Sequence, residues 1–199
     1  MFVAGLCGGL LLGVISVQSR PTGAPLTACP LIAPIGHVNT TRHPNNGSYG
    51  LSTDVFTGGV YVPGKNYTLT LKGTDVFKGL LVQARLVADQ TTPVGSFTPG
   101  GVVKLSACTI ASSAVTHFNG DDKDNATFVW TAPPSLTGTI QFWYAVVVNY
   151  DPANLENTYY TLKTNPIREL NGAAATVSPT ALLWLVMAAV CVQASVRSY

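Results

Sequence analysis

Charge is scarce in this chain. Its 199 residues carry 11 lysines and arginines and nine aspartates and glutamates, 10% of the total. Between residues 20 and 171 the balance is ten basic to nine acidic, a net of +1. That excludes the dense basic footprint of a nucleic-acid binder. No G-x-S-x-G turn occurs, so a serine hydrolase lacks its nucleophile elbow. The tight acidic cluster Asp121-Asp122-Lys123-Asp124, beside Gly120, lacks the spacing and terminal glutamate of a calcium loop and reads as a solvated turn. There is no internal repeat and no long amphipathic helix.

What the chain does have begins with two apolar ends. Residues 2–17 form an apolar run too short to span a bilayer comfortably, with small residues at Val17 and Ser19. A signal peptide over residues 1–19 is therefore expected. Residues 181–196 form a second apolar block near the C-terminus. Asn171-Gly172-Ala173 supplies small residues, and 174–180 make an uncharged spacer. That order fits a glycolipid attachment signal over 172–199, with Asn171 or Gly172 as the attachment point. Sixteen apolar residues rise only about 24 Å as a helix, short of a hydrocarbon core of roughly 30 Å. A short transmembrane anchor and plain secretion are the alternatives. The remaining 20–171 segment suits one domain.

An exported chain accounts for the cysteines. Cys7 and Cys191 fall in the terminal segments, leaving Cys29 and Cys108. Two cysteines in an oxidising compartment read as one disulfide, the alternative being two buried thiols. Four sequons, at Asn39, Asn46, Asn66 and Asn125, point the same way and predict exposed asparagines.

Within the domain, Thr, Val, Gly, Pro and Asn favour strands and turns over long helices. Residues 66–72 alternate, with Tyr67, Leu69 and Leu71 on one face and Asn66 on the other. Residues 79–87 place Leu80, Val82, Ala84 and Leu86 on one side, and Leu81, Gln83, Arg85 and Val87 on the other. Phe128 and Trp130 alternate with threonine and valine until Ala132-Pro133-Pro134 stops ladder pairing. Residues 139–150 are apolar on both faces and belong in the middle of a sheet. Shorter strands are expected at 55–62, 102–106 and 158–163. Many short strands with frequent turn signals predict an all-β, two-sheet β-sandwich.

The order of residues also resembles the reeler (reelin-type) domain, in particular the small stand-alone reeler proteins that include insect defence proteins. The matching pieces are Gly23-Ala24-Pro25, Cys29, His37, Tyr61 and Pro63-Gly64, then the specific run Phe77-Lys78-Gly79-Leu80-Leu81-Val82-Gln83-Ala84-Arg85. Val94-Gly95-Ser96-Phe97, Cys108, Thr116-His117, Phe128 through Pro133 and Gly138 through Val147 follow. The chain departs at Tyr159-Tyr160, where family members often carry Phe-Trp or Tyr-Trp. The resemblance implies an immunoglobulin-like sandwich and a Cys29–Cys108 bridge. It leaves the function open among matrix and adhesion proteins, immune-induced proteins and ferric-reductase-type modules. The last are set aside, because no histidine pairs on apolar helices are present to hold haem.

Functional candidates are few. His37 and His117 fall at family-matching positions, but no third metal ligand is evident, so structural hydrogen bonding is the reading. Gln83 and Arg85 share a strand face and are the candidate ligand contacts. Arg85 offers bidentate recognition of an anion, against a structural role capping a loop or pairing a carboxylate. Phe128, Trp130, Phe142 and Tyr144 read as core. No catalytic set, cofactor or metal site emerges. The expectation is an extracellular, non-enzymatic defence protein that binds microbial surface glycans or lipids and is held at the membrane by its C-terminal anchor. The alternative is an adhesion module binding matrix glycosaminoglycans, which near-neutral charge disfavours.

Overall fold

A computed structural model describes residues 22–35, 40–44, 47–53, 55, 58–106, 108–135, 137–151 and 156–170. The expected signal peptide, the sequons at Asn39 and Asn46, His37, and the attachment residues Asn171 and Gly172 lie outside them. The β-rich unit ends at Glu169.

Among the described residues, a 3-10 turn at Leu26–Ala28 is followed by twelve strands: β1 Thr40–Arg42, β2 Tyr49–Ser52, β3 Val60–Tyr61, β4 Asn66–Phe77, β5 Gly79–Leu86, β6 Ser96–Thr98, β7 Val103–Ser106, β8 Ala114–His117, β9 Lys123–Thr131, β10 Ile140–Asp151, β11 Glu156–Lys163 and β12 Arg168–Glu169. One sheet has the order β1-β11-β10-β5-β8-β7 and the other β2-β4-β9-β6, with β12 and β3 forming a two-stranded ribbon. The domain is an all-β sandwich. The strands expected around 66, 79, 127, 139 and 158 all form, several longer than the alternation alone indicates. The expected strand at 55–62 shrinks to Val60–Tyr61. Just before it the Gly59 N–H donates to Val55 O at 2.7 Å, and Gly59 takes φ 63°, a conformation that suits glycine.

Alternation decides the core. Leu69, Leu71, Phe128 and Trp130 from the smaller sheet meet Val82, Ala84, Ile140 and Phe142 from the larger one. Trp130 is fully buried, edge-on to Phe142 with ring centroids 5.1 Å apart, and its Nε1 donates to Val94 O at 3.1 Å. A Cβ on Gly95 would overlap that indole, so the turn there requires glycine.

The larger sheet is buried on its outer face as well. Residues 24–34 lie across it, and Ala28 and Ile32 pack on Leu81, Ala114 and Ala145. This explains why β5 is buried at seven consecutive positions and why its second face was not a polar one. Ile32 holds φ 47°, a costly conformation for a β-branched residue, while fully buried.

The acidic turn differs from the sequence reading at one residue. Asp121 and Asp122 are exposed, and Asp122 pairs with Lys78 at 2.7 Å. Lys123 instead opens β9 and is 3% exposed. Its ammonium donates to the carbonyls of Lys78, Asn119 and Asp121 at 2.9, 2.8 and 2.6 Å. Burial lowers its pKa, opposed by the nearby charges of Asp121 and Asp122. A fixed ammonium thus fills the centre of this loop.

Candidate functional site

The outer face of the larger sheet carries the site. Strand register sets a row across it in which Ser106, Ala114, Gln83, Trp143 and Lys163 are successive cross-strand partners. Arg85 lies two residues beyond Gln83 on the same face of β5. Lys163 Nζ lies 3.5 Å from the Trp143 ring centroid and the Arg85 guanidinium 4.8 Å from it, so the indole is flanked by two cations.

Covering this row is the Cys29–Cys108 disulfide, with Cα atoms 5.4 Å apart. It ties the segment after the 3-10 turn to the connection between β7 and β8. Arg85 secures the same place from below. Its Nε donates to Gln83 Oε1 at 2.7 Å, its Nη1 to Pro30 O at 3.1 Å and Gln90 O at 2.9 Å, and its Nη2 to Cys29 O. Four of the five guanidinium N–H groups are therefore engaged. Arg85 is 3% exposed, and burial lowers its pKa. Among the described residues it meets neutral acceptors and no carboxylate. Of the roles considered for Arg85, capping loop carbonyls across the sheet is the one this geometry serves. A bidentate grip on an anion has no free fork left to make it.

Beside these groups opens a cleft of about 480 Å³, within the range of small-molecule sites. Gln83 and Arg85 contribute to its lining, with Cys29, Cys108 and Pro30 beside them. Thr91, Thr92 and Thr109 add hydroxyl-bearing residues, and Leu26 and Ile110, 60% and 57% exposed, add apolar ones. Gln83 Nε2 is buried and has no hydrogen-bond partner. Two other hollows offer less. A void of about 30 Å³ between Pro25, Pro34, Leu80 and Ala145 has room for little more than a water. A depression of about 250 Å³ at Gly59 and Thr164–Ile167 is lined by no residue with an unpartnered buried polar side-chain atom.

The loop that supplies Thr91 and Thr92 is organised by Asp89. Its carboxylate accepts the Thr91 N–H at 3.0 Å, the Thr91 hydroxyl at 2.6 Å and the Thr92 hydroxyl. These bonds favour the ionised form and pull the Asp89 pKa down to about 2. A depressed carboxylate stabilises the fold fully above its unfolded pKa near 4, and that contribution is lost as pH falls through about 2. A carbon-detected NMR titration of Asp89 should show a midpoint near 2. A midpoint near 4 would mean the threonine bonds do not persist in solution.

The other sequence candidates lie apart. Asn66 and Asn125 are exposed on β4 and β9, where a glycan has room, and Asn66 Oδ1 accepts the Thr131 hydroxyl at 2.9 Å. His117 is buried, with Nδ1 accepting the Leu80 N–H at 3.2 Å across β5 and β8, a structural role. Phe128, Trp130, Phe142 and Tyr144 are core. Among the described residues no group of three or more His, Cys, Asp or Glu is placed to hold a metal. Sequence reasoning missed the threonine wall at 91, 92 and 109, because those residues reach the cleft only through folding.

Residues 27–168 match the family described as the Reeler domain. "Putative defense protein 3" of Antheraea mylitta is 34% identical over 138 residues, 67% of this chain and 80% of that protein. "Putative defense protein" of Bombyx mori is 30% identical over 152 residues, covering 71% and 85%. The solved human F-spondin reeler domain (fragment 1) superposes with a TM-score of 0.50 at 20% identity, over 66% of this chain and 96% of that one. The last is a likeness of fold.

Proposed function

Because the chain belongs to the Reeler domain family, with moth relatives named as defense proteins, we propose that it is an extracellular, non-enzymatic defence protein. It contributes to innate immunity by binding molecules of microbial surfaces. The observation that carries this reading is the cleft beside the disulfide: ligand-sized, open, held by Arg85, and lined by polar and apolar groups without a nucleophile–base pair. The Cys29–Cys108 bond suits the oxidising export route. The exposed Asn66 and Asn125 suit N-glycosylation there. Residues 172–199 direct attachment of a glycolipid at Asn171 or Gly172.

One experiment on expressing cells tests this. Phosphatidylinositol-specific phospholipase C is expected to release the protein, N-glycosidase to lower its mass, and the released protein to sediment with bacteria. Protein that stays cell-bound after the lipase sinks the glycolipid assignment, and an unchanged mass sinks the glycans. Failure to sediment with any microbe, together with salt-sensitive retention on heparin, would replace microbial binding with a matrix-glycan role.

A further inference from the structure

The floor of the cleft has more donors than acceptors. Gln83 is 1% exposed, and its Oε1 accepts from Arg85 Nε at 2.7 Å. Arginine can only donate, so the amide oxygen must face it and the orientation of the amide is forced. That leaves both N–H groups of the buried Nε2 without a partner, on a residue that contributes to the lining of the cleft. The amide cannot rotate to relieve this without stranding Arg85 Nε. Its cross-strand neighbour Trp143 adds an unpartnered buried indole N–H on the same face. Buried donors of this kind call for an acceptor brought from outside, because native interiors rarely leave them unmatched.

The remaining lining narrows the acceptor. An anion finds no free cationic fork, since the Arg85 donors aimed at the loops already bond carbonyl oxygens. Leu26, Pro93 and Ile110 give the cleft an apolar side, and Thr91 and Thr109 a hydroxyl side. A neutral ligand combining a carbonyl oxygen, a small alkyl group and several hydroxyls matches all three features. An N-acetylated sugar has them within one residue.

We propose that the cleft binds N-acetylated glycans, with the acetyl carbonyl oxygen accepting from Gln83 Nε2 and the acetyl methyl against the apolar side. This rests on the microbial-surface reading and names its ligand class. A bare hydroxyl sugar offers the acceptors but no methyl. A deacetylated amino sugar loses the carbonyl and brings an ammonium toward the Arg85 charge.

The test titrates the full chain with tetramers of N-acetylglucosamine, glucosamine and glucose by calorimetry. The acetylated tetramer is expected to bind at least tenfold more tightly than either of the others. Gln83→Leu and Ile110→Trp are each expected to weaken it at least tenfold. Ile110 is exposed and outside the arginine network, so its variant keeps the test valid if Gln83→Leu fails to fold. Equal affinity for the glucosamine tetramer, or unchanged affinity in Ile110→Trp, overturns the proposal. So does binding of acylated lipid vesicles, lost in Ile110→Trp, with no tetramer bound. If the chain sediments with bacteria yet binds no tetramer, the ligand assignment falls and the microbial-surface reading stands. If it does neither, both fall.

Discussion

Replacing both Cys29 and Cys108 by serine is expected to lower the unfolding free energy by about 2–4 kcal/mol, read from urea denaturation. The bond closes a sequence separation of 79 residues, for which chain entropy alone gives roughly 4.5 kcal/mol. The net should be smaller because Ile32, three residues beyond Cys29 in the tethered segment, sits at φ 47°. Freeing residues 24–34 lets that backbone relax, returning on the order of 1–3 kcal/mol. The loss should also be uneven. Ala28 and Ile32 belong to the outer cluster with Leu81, Ala114 and Ala145, whereas the core between the sheets centres on Trp130, Phe128 and Phe142. Hydrogen exchange should therefore rise first in residues 26–34, with β9 and β10 still protected. Uniform loss of protection in the variant would show that the N-terminal segment is integral to the core and not a cover held over it.

Arg85→Met is expected to cost a comparable 2–4 kcal/mol, through a different cause. Methionine keeps the length of the stem but removes every donor. The carbonyls of Cys29, Pro30 and Gln90 and the Gln83 amide oxygen then lose their shared partner. Each buried acceptor left unmatched costs about 1–3 kcal/mol, non-additively and less where water enters from the cleft. Arg85→Lys should recover only part, since a compact ammonium cannot span acceptors on three segments that a planar fork reaches together. The variant also separates the two roles considered for Arg85. Lost stability, with residual folded protein still binding bacteria, marks it as a structural anchor. Unchanged stability with binding abolished would make it a ligand contact and reverse the reading.

Much of this was legible before folding, because some signals are local. Period-two alternation in residues 66–72 and 79–87 named the faces that bury Leu69 and Leu71, and Leu80 and Val82, correctly. Apolarity on both faces of 139–150 placed β10 inside the larger sheet. Alternation also put Gln83 and Arg85 on one face, and the resemblance implied the bridge that forms beside them. The failure at 55–62 was local too. Gly58-Gly59 falls inside that stretch, and Gly59 takes φ 63°, where the strand cannot continue.

The strands, the cysteine pair and the family were thus determined by the sequence itself, since periodicity, composition and residue order need no distant partner. What the second face of β5 does was decided only by tertiary structure. The carbonyls that engage Arg85 come from residues 29, 30 and 90, and the first two are more than fifty positions away in sequence. Nothing about a lone Arg or Gln encodes that convergence. The same holds for Lys123, whose charged neighbours read as a solvated turn until the carbonyl of Lys78 is folded against it. A backbone carbonyl carries no residue signature. Any site built from carbonyls, here the seat of Arg85, is therefore invisible until the chain has closed around it.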